Sequence, residues 1–338
     1  MKKFILISIG VLGLFGVVIA YLSLDLIVRR EGTLYLLPNE TDARDLAQQL
    51  VDSGYVSRAA TITYLAELKK MKRARPGRYV LHKDEDWPSV LNRLRIGDQQ
   101  PVAVVLPASS DLRRLSQRLS RQLMHDSTRF YRYFTSDSIR QQCVMSQEAI
   151  NALFIPNTYE MYWTVSPRGL VDRMIKEREV FWHKRQAKLV KLGLNQVEVA
   201  TLASIVEKET NKVDEMPRVA GLYLNRLQRG WKLQSDPTAV YGLQQMYPDS
   251  VVRRVLNDHL RFDSPWNTYL YPGLPPGPIA IPSTQAIEAV LNAEEHNYFY
   301  MIASVDRLGY HDFSKATEYA RHQQLARAYH EYLNQRTQ

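Results

Sequence analysis

Leu202-Ala203-Ser204-Ile205-Val206-Glu207-Lys208-Glu209-Thr210 is a mostly apolar stretch with an acid on its apolar side. On a helical wheel at about 100° per residue, Val199, Leu202, Ala203, Ile205 and Val206 share one sector. Glu209 lies inside that sector, roughly 45° from its centre; Glu207 lies well off it and Lys208 points away. A carboxyl on an apolar face loses hydration, so its pKa rises and it can keep its proton near neutral pH. A general acid needs that condition. The plainer reading is a boundary residue at a helix end whose head group reaches water.

The neighbouring sequence extends the pattern. Asn195, with Glu198 three residues on, reads as a capping box that starts the acidic helix. Before it, a charged stretch predicts one long helix from Arg168 to Leu192, ended by Gly193. After it, a helix over 215–229 closes at Gly230. Asp236 before Pro237 starts another, with the proline at the first helical position; Asp236 is either that start or a second carboxylate. Residues 262–282 hold six of the chain's 16 prolines. A long loop of this kind inside a domain is usually functional, and proline stiffening lowers the entropy lost on holding a ligand. Residues 298–303 and 310–313 read as a hairpin with Leu308-Gly309 in its turn, and a final helix covers 317–333. Phe154, Tyr159, Tyr162 and Trp163 crowd a ten-residue segment, either as core or as rings that stack on sugar faces.

Toward the N-terminus, residues 37–50 match 106–119 at seven of fourteen positions, with Leu, Pro, Asp, Arg, Leu, Gln and Leu in register. Each copy follows a strand-like run and enters an amphipathic helix, so a strand–turn–helix unit is expected twice. Between them, Pro76-Gly77 is a turn into a strand, and residues 87–96 read as a helix ending at Gly97. Such small α+β units either bind a ligand or space a catalytic part from a membrane. Residues 4–24 form an uncharged, mainly apolar run of 21 residues behind Lys2 and Lys3. That length crosses a bilayer as one helix. A cleaved signal peptide is the competing reading, but the run is long for one. The terminal lysines place the N-terminus in the cytoplasm and the remainder outside it.

Composition fits a folded ectodomain, with 45% hydrophobic residues among 338. Cys143 is the only cysteine, so no intrachain disulfide forms, and the thiol reads as a small core residue. The net charge of +9 suits anionic partners such as a lipid surface or a wall polymer. No nucleic-acid-binding motif occurs. The histidines are scattered without an HExxH or a Cys/His cluster, so no metal site is expected, and no GxSxG, P-loop or GxGxxG is present.

Several segments now stand in a telling order: 202–210, Leu224-Asn225-Arg226-Leu227, Leu233-Gln234-Ser235-Asp236-Pro237-Thr238, Asn267-Thr268-Tyr269 and Gly273-Leu274-Pro275-Pro276-Gly277. In that order they resemble the YceG-like endolytic murein transglycosylases. Pro156-Asn157-Thr158-Tyr159 resembles that family's Pro-Asp-Thr-Tyr, and His311-Asp312-Phe313 its His-x-Phe. The departures are Asn157 for an Asp, and Pro107-Ala108-Ser109 where Pro-Glu-Gly is usual. The resemblance implies an α+β fold: an N-terminal transmembrane helix over residues 1–30, a LysM-like module over 31–125 and a catalytic domain over 126–338. It implies cleavage of nascent peptidoglycan strands between N-acetylmuramic acid and N-acetylglucosamine, leaving 1,6-anhydromuramyl ends, without a cofactor or metal. It makes Glu209, the second Glu of Glu-Lys-Glu, the catalytic acid. It assigns Gln234, Ser235, Asp236, Thr238, Tyr241, Asn267, Thr268, Tyr269 and Asn225 to binding the glycan. The partners implied are glycan strands, the cytoplasmic membrane and, as candidates, peptidoglycan synthases. Two rival functions remain: a hydrolytic muramidase using Asp236 or Asp214 as second carboxylate, and a non-catalytic wall-binding scaffold.

Overall fold

The computed structural model describes residues 25–336 apart from 40, 109, 249, 251, 253 and 254. The apolar run read as an anchor lies outside the described residues. Among the described residues no single helix is long and apolar enough to cross a membrane. The chain divides into two compact units, one of residues up to 104 with 122–124 and 159–165, the other of 105–121, 125–158 and 166 onward. The second strand–helix copy is shared between them.

In the first unit β1 (Gly32–Leu36) pairs antiparallel with β2 (Gly77–Leu81), Gly32 opposite Leu81 and Leu36 opposite Gly77. Helices α1 (Ala43–Asp52) and α2 (Ala59–Leu68) lie between the strands in sequence, and α3 (Trp87–Ile96) follows. Alternation along β1 turns Leu34 and Leu36 inward, onto Leu46, Leu50, Ile62, Tyr79, Leu81 and Trp87. Gly97 ends α3 at φ 82, in the left-handed region that favours glycine.

Both repeated strand–helix copies form. The second is β3 (Val102–Leu106), which pairs with β4 (Asn157–Met161), followed by α4 (Leu112–Ser120). The aspartate shared by the copies caps both helices: Asp42 accepts from Arg44 N–H at 3.0 Å and Asp111 from Arg114 N–H at 2.7 Å. This accounts for the aspartate at one register in both.

The second unit is mainly helical: α5 (Ser127–Phe134), α6 (Asp137–Cys143), a 3₁₀ turn (Gln147–Leu153), α7 (Pro167–His183), α8 (Gln186–Leu192), α9 (Gln196–Glu209), α10 (Met216–Gln228), α11 (Asp236–Met246), α12 (Asn257–Leu260) and α13 (Thr284–Leu291). The hairpin of β5 (Tyr298–Ala303) and β6 (His311–Lys315) turns at Gly309, φ 83, and α14 (Tyr319–Arg336) is the last of the described elements. Val199, Leu202, Ala203, Ile205 and Val206 of α9 sit in one core with Val219 and Tyr223 of α10 and Ile287 and Val290 of α13. The acidic helix is therefore the central one of its unit.

The single helix expected over 168–192 is two. It breaks at Lys184 and Arg185, where Arg185 leaves helical geometry at φ −117 and ψ 3. Its guanidinium hydrogen-bonds Phe181 O and Glu288, both at 2.7 Å, and lies over the Phe181 ring. The Phe181 bond lies within the helix that ends here, and the Glu288 bond ties the break to α13. Cys143 is half-buried and burial pushes its thiol above the ordinary value, which lowers its reactivity.

Candidate active site

The Asn195 capping box forms as the spacing predicts: Asn195 accepts from Val197 and Glu198 N–H, and Glu198 from Asn195 N–H at 2.7 Å. α9 then runs 14 residues and stops at Glu209 because Thr210 is extended, φ −139 and ψ 140. Glu209 thus sits in the last turn, where the helix dipole disfavours a negative charge.

Two hydroxyls meet this carboxyl. Tyr223, from α10, donates to Glu209 Oε1 at 2.8 Å. Ser235, just before α11, donates to the same oxygen. Oε2 takes no hydrogen bond from the described residues, which leaves it the oxygen able to carry the proton of the neutral acid. Burial raises the Glu209 pKa above its ordinary value. The Ser235 and Tyr223 bonds pull it back, Asp236 adds to the rise and His311 opposes it. The carboxyl is enclosed by neighbours, yet the residue keeps part of its surface open. Burial and the charge of Glu209 hold Tyr223 well above the ordinary tyrosine pKa, so it remains a donor.

Native Glu209 therefore holds its proton more tightly than the unfolded chain does. The associated stability is present at low pH and is lost as pH rises through the folded pKa. Thermal melts of wild type and Glu209→Gln across this range should show the variant gaining relative stability as pH rises. A constant difference between the two would contradict a raised carboxyl.

Ser235 occupies the N-cap of α11, one residue before the predicted start at Asp236, but makes no capping bond. A capping serine ordinarily accepts an N–H of the first turn; here its hydroxyl is turned to Glu209. Around it, Ser235 N–H donates to Thr268 Oγ1 at 3.0 Å, and the Thr238 and Thr268 hydroxyls lie 2.8 Å apart. Ser235, Thr238, Asn267 and Thr268 are all buried. Asn267 donates to Leu260 O and Phe262 O, and its Oδ1 accepts from Tyr269 N–H. These residues lock the 233–238 segment to the 260–271 loop.

Gln234 is exposed and held at φ 50, a strained geometry for a side-chain-bearing residue, by its N–H bond to Thr268 O. Asp236 is exposed and accepts from Tyr269 Oη at 2.5 Å. Burial, followed by the bond to Asp236, raises the Tyr269 pKa. Tyr241 packs edge-on against Trp266 at 5.5 Å, and burial pushes it to about 12. Asn225 is turned elsewhere, donating to His296 O at 2.8 Å and Tyr298 O at 3.1 Å at the start of β5. Glu209, Ser235, Asp236 and Tyr269 are thus brought together; Asn225 braces the hairpin.

Sequence reasoning overlooked Tyr223 and gave no role to Arg226. Tyr223 follows Met216, Val219 and Ala220 on the core stripe of α10, and a core tyrosine needs a partner for its hydroxyl. Arg226, 8% exposed, bonds Phe299 O and Leu233 O and so holds the segment that delivers Ser235. The Pro-rich stretch is pinned at its C-terminal end. Ile279 N–H bonds Ser204 Oγ at 3.0 Å, Asn151 Nδ2 bonds Pro278 O at 3.0 Å, and Ser283 N–H bonds Glu207 at 3.1 Å.

The YceG-like family model matches residues 36–328. The chain is 25% identical over 299 residues to a protein of Streptococcus pneumoniae named endolytic murein transglycosylase, covering 80% of this chain and 54% of that one. It is 24% identical over 286 residues to a protein of the same name from Bacillus subtilis, covering 79% of this chain and 77% of that one. The chain thus spans about half the length of the streptococcal relative. A crystal structure of a yceG-like protein from Listeria monocytogenes superposes with a TM-score of 0.55 at 23% identity, covering 87% of this chain and 99% of that one. This likeness extends to the mixed α+β fold.

Proposed function

The chain belongs to the YceG-like family, and from that membership and the geometry at Glu209 we propose that it is an endolytic lytic transglycosylase of peptidoglycan. The supporting observation is a desolvated acid with two hydroxyls on Oε1 and an open Oε2. Glu209, neutral, gives its proton to the oxygen joining N-acetylmuramic acid to N-acetylglucosamine, and the bond from that oxygen to muramyl C1 breaks. The resulting carboxylate takes the proton of the muramyl C6 hydroxyl, whose oxygen bonds C1. A 1,6-anhydro end forms and no water is consumed. One carboxyl serves twice, whereas ordinary glycosidases need two. Closure within one ring has the entropic benefit of an intramolecular step. Tyr223 and Ser235 fix the carboxyl plane and stabilise the carboxylate as it forms.

Gln234, Asp236, Tyr241 and Tyr269 are proposed to meet the glycan. Thr238, Asn267 and Thr268 would act by holding those residues in place, and Asn225 by bracing the hairpin. Residues 31–125 are proposed as a LysM-like module and residues 4–24 as a single membrane-crossing anchor in the cytoplasmic membrane. The catalytic unit then lies outside the cytoplasm, near the peptidoglycan synthases. Mass spectrometry of glycan strands digested by the full chain tests the reaction. Ends lighter by one water than hydrolysis products are expected, while full-mass reducing ends would replace this reading with a muramidase.

Ser235→Ala removes one donor from Oε1. Cleavage should fall about tenfold, the loss expected for a hydrogen bond to a charged group. The high-pH limb of the rate profile should move up, because the Ser235 bond lowers the Glu209 pKa. α11 should keep its stability, because this serine does not cap it. A drop in melting temperature with an unmoved limb would assign Ser235 a structural role only.

A further inference from the structure

Trp231 follows the glycine that closes α10 and stands four residues before the serine bonded to Glu209. Its backbone N–H bonds Arg226 O at 2.8 Å, and the Arg226 side chain bonds Leu233 O and Phe299 O. Trp231 is thereby fixed at the head of the segment that ends in Ser235. Four residues of fully extended chain span at most about 14 Å, so the indole stands within a few sugar rings of the acid.

The indole is 37% exposed. It rests against Phe299, ring centroids 5.0 Å apart, and against Tyr300 at 6.0 Å. Consecutive residues of a regular strand face opposite sides. Here the β5–β6 pairing shifts register between Tyr298 and Tyr300, and the rings of Phe299 and Tyr300 both lie beside Trp231. Such irregularities re-aim side chains and are frequent next to active sites. Tyr300 continues the row: Tyr319, 53% exposed, lies 5.4 Å from it, and His322 stacks on it at 5.0 Å, 17° from parallel. Fastening α14 to the hairpin accounts for Tyr300 and His322, but not for two further rings left open to water. The Trp231 indole N–H and the Tyr300 and Tyr319 hydroxyls bond no other described residue.

A pyranose ring presents C–H groups on its faces and hydroxyls on its rim, and an aromatic ring with a polar end meets both. Trp and Tyr rings give this contact at little cost in conformational entropy. Arg229 and Lys232, both exposed, flank Trp231 in sequence, and the Arg229 guanidinium lies over Phe299 at 4.4 Å. Cations there suit the carboxylates of muramyl peptides. We propose that Trp231, Tyr300 and Tyr319 form a second glycan subsite, on which sugars of the same strand stack at a distance from the bond cut at Glu209. This rests on the reading of the chain as acting on peptidoglycan. Gln234, Asp236, Tyr241 and Tyr269 take the sugars at the acid, and the aromatic row takes sugars farther along. Only a strand that reaches from Glu209 to Trp231 uses both, so the row selects long strands over short fragments.

The test is binding of uncrosslinked glycan strands, fractionated by length, to the full chain carrying Glu209→Gln, with and without Trp231→Ala or Tyr319→Ala. Trp231→Ala should weaken binding of long strands about tenfold, the scale of a lost aromatic contact, and the loss should shrink as strands shorten. Tyr319→Ala should act in the same direction, and Trp231→Phe, which keeps a ring, should recover most of the affinity. In the wild-type background the alanine variants should raise KM for long strands and leave kcat near its original value. Unchanged affinity for long strands in both alanine variants would overturn the proposal. So would an equal loss at every length, which would mean that Trp231 only holds the segment leading to Ser235. Mass spectrometry of the products separates the two readings. Hydrolytic ends with a length-dependent loss at Trp231 would remove the transglycosylase and leave the subsite; anhydro ends with no such loss would leave the reaction and remove the subsite.

Discussion

Glu209→Gln is expected to leave a folded protein that has lost glycan cleavage by about a thousandfold or more, within the range general acid–base catalysis contributes. Glutamine matches the shape of the neutral acid. Its Oε1 can still accept from Tyr223 and Ser235, and its Nε2 takes the place of the open Oε2. Only the transferable proton is gone. Circular dichroism and thermal melts establish the fold, and anhydro-product release from uncrosslinked strands measures the activity. Activity within tenfold of wild type in a folded variant would remove Glu209 from the chemistry and favour the scaffold reading. The comparison is sharp because the substitution should not cost stability: burial already favours the neutral form in this carboxyl.

Gly277→Ala is expected to destabilise the second unit by about 1–3 kcal/mol, the usual penalty of overpacking. A Cβ at Gly277 would stand 2.0 Å from Glu148 O and 2.5 Å from Glu148 C, both backbone atoms of the 3₁₀ turn. No rotamer change can relieve that contact. The turn and the loop must part, and two bonds resist: Asn151 Nδ2 to Pro278 O, and Ile279 N–H to Ser204 Oγ in the middle of the acid helix. Activity should fall with stability. Gly273→Ala is the control: at φ 85 it meets backbone strain but nothing within 4 Å. Its loss should be smaller, about 1–2 kcal/mol. Equal melting temperatures for Gly277→Ala and wild type would show that the Pro-rich loop is not seated against the 3₁₀ turn.

Local rules account for much of this protein. The capping box at Asn195, the glycine stops at Gly97, Gly193 and Gly230, the hairpin turn at Gly309 and the twice-used aspartate cap are all set by residues within four positions of one another. They could be read from spacing because the bonds involved are themselves short in sequence. The wheel likewise put Glu209 on the apolar sector of α9, since helical periodicity alone decides which side chains share a face. The break at Arg185 was not legible in this way, because the carboxylate that holds the arginine there, Glu288, is 103 residues away. Nor was the N-cap of α11, where the serine that local rules would turn to its own helix turns to an acid 26 residues earlier. The convergence of Tyr223 and Ser235 on one oxygen, and the meeting of Trp231 with Tyr300, are likewise tertiary. By itself the sequence determined several of the helices, their caps and the placement of the Glu209 carboxyl on an apolar face. Packing decided which hydroxyls and charges surround that carboxyl, because groups tens of residues apart meet only when whole helices bury their apolar faces against each other.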